Sequence, residues 1–184
     1  MVNIIHIFGA SGSGTTTLGK AIYENYGHIH LDTDNYFWVP TDPPYTTKRN
    51  RNERQRLLNN DINKNEKCVI SGSLCGRGDG WGDIFIPLFD LVIFIDTPMD
   101  VRIKRLEERE LNKFGNRILP GGDMYDNHTA FIEWAKTYDT GGLEQRSRVL
   151  HMQWMEKLTC KTVTVDGTLS PYQILLQIDK LISG

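Results

Sequence analysis

The sequence predicts an α/β fold of three layers, in which a five-stranded parallel sheet lies between helices on both faces. Five strand candidates alternate with helical or loop segments along the chain, at residues 3–8, 28–31, 68–71, 91–95 and 162–165. The fourth candidate, from Leu91 to Ile95, is apolar throughout, as expected of a strand that is buried on both faces. We therefore expect this strand to lie in the interior of the sheet.

Helical segments fill the intervals between these strands. They are expected at residues 16–26, 47–65, 129–138 and 143–158, with one further helix beginning after 96–98. Ser170-Pro171 is a typical helix start and opens the last helix. The residues of this helix expected to face inward are Ile174, Leu175, Ile178 and Leu181.

Composition narrows the classes of function. A chain of 184 residues with 39% hydrophobic content suits one domain spanning residues 1–184. The formal net charge of −2 argues against nucleic acid or an anionic membrane as a partner. Three cysteines, an odd number, favour a reducing compartment, and we find neither a signal peptide nor a transmembrane segment. The sequence therefore predicts a cytoplasmic protein.

A glycine-rich loop follows the first strand. Residues 9–16, GASGSGTT, fit the phosphate-binding pattern G-x-x-x-x-G-K-[ST] at every fixed position except that Thr15 replaces the lysine. The glycines allow backbone N–H groups to turn towards an anion, and the next helix contributes its positive N-terminus. Thr16 occupies the position whose hydroxyl binds Mg²⁺ in such loops. The expected contacts to ATP or another nucleoside triphosphate are Gly9, Ser11, Gly12, Ser13, Gly14, Thr15, Thr16 and Thr17. The alternative is a glycine- and serine-rich turn with no ligand.

Two carboxylates, Asp32 and Asp34, follow the second strand at the sheet edge where ligands of open α/β folds bind. Alternation along an extended strand would point both side chains to the same side. One can hold Mg²⁺ while the other orients or deprotonates an acceptor hydroxyl. The alternative is a turn with solvated acids.

A first insertion, at about residues 35–66, is expected to bind the phosphoryl acceptor. The aromatic run 36–38 can either wall a pocket or pack in the core. Residues 48–56 contain five cations, which favour a solvated helix face; a less favoured alternative is that one or two arginines hold an anionic group of the acceptor.

A second insertion, the lid at about residues 102–142, carries a helical stripe of cations. Four side chains spaced by three, four and four residues form it, namely Arg102, Arg105, Arg109 and Lys113. Such a stripe is expected to close on the transferred phosphoryl group and can replace the missing loop lysine. The alternative is pairing within the helix, for example of Lys104 with Glu108. Further arginines that can approach phosphates or a base are Arg117, Arg146 and Arg148.

Together, the glycine loop, the D-x-D pair, the arginine helix and the final strand ending in Asp166-Gly167 resemble the small P-loop kinases of metabolites and nucleotides. The resemblance implies a P-loop NTPase/kinase fold, with Asp32 near Mg²⁺ and Asp34 at the acceptor hydroxyl, as in shikimate-kinase-like enzymes. It also implies that Arg102 and Arg105 are lid arginines, as in the adenylate-kinase-like superfamily.

Three segments, residues 31–44, 71–76 and 121–124, resemble bacterial proteins labelled adenylate kinase or AAA-family ATPase. Two positions depart from the kinase pattern, Thr15 and the Ser71-Gly72 pair that stands where nucleotide kinases commonly have Asp-Gly.

The leading hypothesis is therefore an ATP- and Mg²⁺-dependent phosphotransferase that acts on a small-molecule acceptor, with Asp34, Arg102 and Arg105 as catalytic residues and with Thr16 and Asp32 holding the metal. A nucleotide-binding sensor or switch, or a weak NTPase, is the alternative because the loop lacks its lysine. Nucleic-acid binding through residues 48–56 is least favoured by the negative net charge.

Overall fold

The computed structural model describes residues 2–75 and 81–184 and contains one five-stranded sheet. All strand pairs are parallel, and the spatial order is β2-β3-β1-β4-β5. The strands are β1 (Ile4–Gly9), β2 (Ile29–Asp32), β3 (Cys68–Ser71), β4 (Leu91–Asp96) and β5 (Lys161–Asp166). The predicted parallel sheet is confirmed, and β4 lies in its interior between β1 and β5.

Seven α-helices are found among the described residues. They are α1 (Thr15–Tyr26), α2 (Thr33–Phe37), α3 (Arg51–Asn63), α4 (Met99–Phe114), α5 (Tyr125–Lys136), α6 (Arg148–Met155) and α7 (Pro171–Ser183). Short 3₁₀ helices cover Asp83–Leu88, Gly115–Ile118 and Thr137–Asp139. No described helix combines the length and the apolar character needed to cross a bilayer.

Two apolar clusters, one on each face of the sheet, produce the three layers. Ile5 and Ile7 of β1 point to the face covered by α1 and α7, where they join Leu18 and Ile178. Phe8 points to the opposite face, which α3 and α6 cover. This alternation follows from the two-residue period of a strand.

Capping residues explain why two helices, α3 and α6, begin later than predicted. The side chain of Asn50 accepts a hydrogen bond from the backbone N–H of Glu53, so α3 begins at Arg51 rather than near residue 47. Ser147 caps α6 in the same way, and residues 143–147 are therefore not part of that helix. The last helix has a complete capping box between Ser170 and Gln173.

The strand alternation expected for Asp32 and Asp34 is wrong. Asp32 ends β2 and caps α2, its carboxylate accepting a hydrogen bond from the Asp34 N–H at 3.0 Å. The chain therefore turns into a helix between the two carboxylates. This turn still leaves both side chains in the same cleft, as described below.

Candidate active site

The glycine loop connects β1 to α1 at the carboxyl edge of the sheet. Gly12 and Gly14 have φ angles of 82° and 102°, in the left-handed region that glycine adopts without strain. A Cβ at Gly12 would lie 2.6 Å from the carbonyl oxygen of Arg102, so the loop packs directly on the backbone of α4. Glycine is therefore required at this position both by conformation and by space.

Thr16, Asp32 and Asp34 meet beside the loop. The Thr16 hydroxyl donates to Asp32 Oδ2 at 2.9 Å, while Asp32 Oδ1 accepts from the backbone of Asp34. The proximity of Thr16 and Asp32 follows from topology, because α1 begins and β2 ends at the same edge of a parallel sheet. Thr15 and Thr17 lie on either side of Thr16 in the first turn of α1.

A cleft of about 1960 Å³ extends from the loop to the two insertions. Its lining includes all eight residues expected to contact the nucleotide, together with Asp32 and Asp34. Pockets for a single small ligand typically hold about 300–1,000 Å³. The cleft therefore has room for a nucleotide and a second molecule at the same time.

Positive charge predominates in this cleft although the chain as a whole is negative. Among the described lining residues there are seven Lys or Arg side chains and four Asp or Glu side chains. The basic side chains are Lys20, Lys48, Arg54, Arg105, Arg109, Lys113 and Arg146. Such an excess favours an anionic ligand.

The carboxyl group of Asp34 has a raised pKa. Desolvation by the surrounding protein is the main cause, and the negative charge of Asp32 adds to it. Three cations, Arg146, Arg109 and Lys113, act in the opposite direction. Asp34 is thus a carboxylate with increased basicity, set among cations that an anionic ligand would approach.

Arg102 is not where the lid hypothesis places it. Its side chain is completely buried and is absent from the described residues that line the cleft. The guanidinium donates to the carbonyl of Thr97 at 3.0 Å, to that of Ala135 at 3.3 Å and to Asp139 Oδ2 at 2.5 Å. In this arrangement Arg102 ties the start of α4 to the end of α5.

The other cations of the stripe do line the cleft. Arg105 donates to the carbonyl of Gly167 at 2.8 Å, Arg109 pairs with Glu110 at 2.7 Å, and Lys113 donates to the hydroxyl of Tyr45 at 2.6 Å. The predicted stripe is therefore split: Arg102 is buried against α5, and the other three cations line the cleft.

The two insertions contact each other across the cleft. Besides the bond from Lys113 to Tyr45, Arg117 bridges Asp42 at 2.7 Å and Asp123 at 2.6 Å. Arg117 thus links the insertions. Among the described residues, no group of three or more His, Cys, Asp or Glu side chains could hold a metal ion.

The cations at residues 48–56 divide between structural and cleft positions. Arg49 donates to the carbonyls of Tyr36 and Trp38, and so fixes the segment after α2. Arg54 is buried, lies 3.9 Å from the ring centre of Phe37 and lines the cleft. This position fits the less favoured alternative, in which an arginine of this segment reaches the acceptor.

The three aromatic residues at 36–38 also differ in position. Tyr36 is buried in the core and donates its hydroxyl hydrogen to Asp61, whereas Phe37 and Trp38 line the cleft. Both alternatives considered for this run are therefore realised by different members of it.

Arg146 and Arg148, both named as candidates, have different positions. Arg146 lines the cleft and its guanidinium lies 5.4 Å from the ring centre of Trp134. Arg148 instead makes a two-point ion pair with Asp96, at 2.5 and 2.7 Å. Ser73 lies in the segment 71–76 noted for its resemblance, but the sequence assigned it no role; it lines the cleft after β3. Of the segment 71–76, Gly76 lies outside the described residues.

Comparison with known proteins gives a family and a fold. A family model described as an AAA domain matches residues 5–132. "Uncharacterized protein YqaC" of Bacillus subtilis (strain 168) is 46% identical over 90% of this chain and 89% of its own length. The uridine kinase of Bacillus cereus (strain AH187) is 28% identical over 73% of this chain and 82% of its own length.

Two solved structures share the fold. Shikimate kinase from Acinetobacter baumannii, in complex with shikimate, has a TM-score of 0.57 at 15% identity, covering 99% of this chain and 93% of that one. A gluconokinase from Sinorhizobium meliloti 1021 has a TM-score of 0.54 at 19% identity, covering 98% and 91%. The predicted P-loop kinase fold is thereby confirmed.

Proposed function

We propose, from the premise that this chain belongs to the AAA domain family and has the fold of the P-loop kinases, that it is an ATP- and Mg²⁺-dependent phosphotransferase acting on a small-molecule acceptor. The observation that carries the proposal is the meeting of Thr16, Asp32 and Asp34 beside the glycine loop, in a cleft with room for two ligands. Residues 35–66 would bind the acceptor, and residues 102–142 would form the lid.

The pair formed by Thr16 and Asp32 fits a magnesium site. Adjacent ligands of an octahedral Mg²⁺ at 2.0–2.1 Å lie about 2.9 Å from each other. The two oxygens are separated by 2.9 Å, and both are hard oxygen donors of the type that Mg²⁺ prefers. Bound there, the ion would neutralise negative charge on the nucleotide phosphates.

Asp34 would serve the acceptor. Its raised pKa makes it a better proton acceptor than an ordinary carboxylate, which suits a base that orients an acceptor hydroxyl and takes its proton. In the transfer, the acceptor oxygen forms a bond to the γ-phosphorus as the bond to the β–γ bridging oxygen breaks. The acceptor proton passes to Asp34.

Arg105, Arg109 and Lys113 would supply positive charge that the loop lacks at Thr15. All three line the cleft and come from one helix, so they approach the nucleotide together. In this proposal Arg105 stabilises charge on the transferred group. Arg102 is assigned the structural task of holding α4 against α5.

The proposal is tested by incubating the purified chain with ATP and Mg²⁺ and a panel of hydroxyl compounds, and by measuring ADP release. The panel includes uridine, gluconate and shikimate, the compounds indicated by the names of the similar proteins. We expect at least one acceptor to raise ADP release above the rate with water alone. Asp34→Asn should abolish the increase, while Glu24→Gln, on the exposed side of α1, should not. No increase with any compound would contradict the proposal.

A second candidate is a nucleotide-binding sensor, and the observation in its favour is Thr15. A Thr15→Lys variant separates the two. If the unmodified chain binds ATP without transfer and the lysine creates transfer, the sensor is supported. Transfer by the unmodified chain would eliminate it.

A further inference from the structure

A buried chain of hydrogen bonds ends at the cleft. The Ser73 hydroxyl and His151 Nε2 are 3.0 Å apart, and His151 Nδ1 lies 2.8 Å from the hydroxyl of Tyr138. His151 is fully buried, and Ser73 and Tyr138 are 6% and 5% exposed. Of the three, only Ser73 lines the cleft. The positions of the hydrogens in this hydrogen-bonded series therefore decide whether the Ser73 hydroxyl acts as a donor or an acceptor towards a ligand.

Counting hydrogens favours one arrangement. His151 is surrounded by Phe8 and Phe94, and burial lowers its pKa to about 3, so the ring is neutral and carries one N–H. If that hydrogen is on Nδ1, it is donated to Tyr138, whose own hydroxyl hydrogen then has no partner among the described residues. If it is on Nε2, Tyr138 donates to Nδ1 and Nε2–H donates to Ser73.

The second arrangement moves the unpaired hydroxyl hydrogen from Tyr138, which does not line the cleft, to Ser73, which does. Burial raises the pKa of Tyr138, so its phenol keeps the proton that Nδ1 accepts. An unpaired buried donor costs free energy, whereas a free hydrogen on Ser73 can be used by a ligand in the cleft. Ser73 oxygen accepts from His151, and its hydroxyl is thereby set as a donor towards the cleft.

Ser73 lies in the part of the cleft where the phosphoryl acceptor is proposed to bind. Ser73 follows β3, next to β2, which ends at the carboxylates. Arg146, which lines the cleft, interacts electrostatically with Asp34 and with the buried His151, so it is within electrostatic reach of both. A molecule whose hydroxyl reaches Asp34 would present its other groups to this region.

We propose that Ser73 donates a hydrogen bond to an oxygen of the phosphoryl acceptor, and that His151 and Tyr138 are positioning residues that fix its hydroxyl as a donor. This inference rests on the proposed phosphotransferase function. The chemistry selected at Ser73 is an oxygen with a free lone pair, such as a carboxylate, carbonyl or ether oxygen. A ligand N–H group at the same place would leave the Ser73 hydroxyl hydrogen without an acceptor, and is therefore disfavoured.

The first test measures the position of the histidine hydrogen directly. The full chain, labelled with ¹⁵N histidine, is studied by NMR at pH 7.5, and His151 is assigned by comparison with a His151→Asn variant. We expect a neutral ring protonated at Nε2. A ring protonated at Nδ1, or a charged ring, would overturn the donor assignment. This measurement needs no acceptor, and its result is independent of whether the proposed function holds.

The second test compares Ser73→Ala with Ser73→Thr, using the acceptor identified in the panel. Loss of one hydrogen bond should raise the acceptor KM about tenfold in the alanine variant, well beyond any change in the ATP KM. Threonine retains the hydroxyl and should restore the acceptor KM. Tyr138→Phe should raise the acceptor KM as well, but should add little to Ser73→Ala, because both changes remove the same donor.

Several outcomes would overturn the inference. An unchanged acceptor KM in a folded Ser73→Ala variant would show that Ser73 does not contact the acceptor. Equal increases in the KM of ATP and of the acceptor would indicate general damage to the cleft. Ser183→Ala, at the exposed end of α7, serves as the control for substitution of a serine elsewhere. Absence of transfer to every panel compound would contradict the proposed function instead, and the histidine tautomer would still decide the polarity of Ser73.

Discussion

Arg102→Ala should reduce stability strongly and affect the chemistry only through folding. The substitution leaves the carbonyls of Thr97 and Ala135 without their guanidinium donor, and Asp139 without its ion-pair partner. Removing one member of a buried pair costs about 3–5 kcal/mol. The carboxylate of Asp139 is 38% exposed and can regain water, so we expect the lower part of this range, about 3 kcal/mol.

The assay is denaturant unfolding of the variant and of Arg105→Ala as its matched control. Arg105 lies one turn further along α4, makes one hydrogen bond to the Gly167 carbonyl and lines the cleft. The control should lose less than about 1 kcal/mol of stability, but its turnover should fall by about 10²–10³-fold. In Arg102→Ala, ATP binding should remain normal at temperatures where the variant is folded.

The opposite pattern would refute this reasoning. If Arg102→Ala unfolds at the denaturant concentration of the unmodified chain and yet loses about 10³-fold in turnover, the guanidinium must leave its buried position and reach the phosphoryl group during the reaction. The original sequence hypothesis for Arg102 would then be correct, and the three buried hydrogen bonds would belong only to the open state of the lid.

Three further predictions concern the loop, the base and the buried histidines. Asp34→Asn should raise the free energy of unfolding at pH 7, because ionisation of a carboxyl group whose pKa is raised in the folded state destabilises that state. The gain should vanish below about pH 3.9, and a gain that persists at pH 3 would contradict this explanation. Gly12→Ala places a Cβ 2.6 Å from a carbonyl oxygen of α4, at a residue whose φ is 82°. Calorimetry should therefore show weakened MgATP binding, and denaturant unfolding should show a loss of stability above about 1 kcal/mol. Unchanged binding would mean that the loop adapts. Burial lowers the pKa of both His6 and His151 to about 3, so each histidine stabilises the fold fully above about pH 6.5. As the pH drops below that value, the free energy of unfolding should decrease by about 1.4 kcal/mol per pH unit for each histidine. Unfolding measured at pH 7.5, 6.5 and 5.5 checks this, and a ring that titrates above pH 5 by NMR would contradict it.

The sequence was sufficient where local pattern and topology agree. The loop and the strands need only short-range information, because glycine spacing determines one and apolar runs determine the other. The contact between Thr16 and Asp32 was also predictable in outline. Both residues stand at element ends that a parallel sheet places on one edge, and in the structure their oxygens are 2.9 Å apart.

The role of Arg102 could not be read from its helix. Spacing of three and four residues places four cations on neighbouring positions, but it does not say which part of that face another element covers. The end of α5 and the 3₁₀ helix Thr137–Asp139 cover the first turn and leave the later turns open to the cleft. Ser73 and His151 were missed for the same reason, since residues 78 positions apart meet only through the tertiary fold.

Because the loop lacks its lysine, the positive charge that lines the cleft comes from other elements, including α4. In a loop with lysine, the ammonium is attached to the first turn of the helix that binds phosphate, and its position does not depend on the lid. Here that position is Thr15, while Arg105, Arg109 and Lys113 lie on α4. The first turn of α4 contacts Gly12 through the carbonyl of Arg102 and is held in place by the hydrogen bonds of the Arg102 side chain, so this turn is fixed relative to the loop. The position of the Lys113 side chain, at the far end of the helix, depends instead on its contact with Tyr45. Arg105, three residues after Arg102, lies on the part of α4 that is fixed relative to the loop, so under the proposed function it is the cation best placed to supply the positive charge that Thr15 does not.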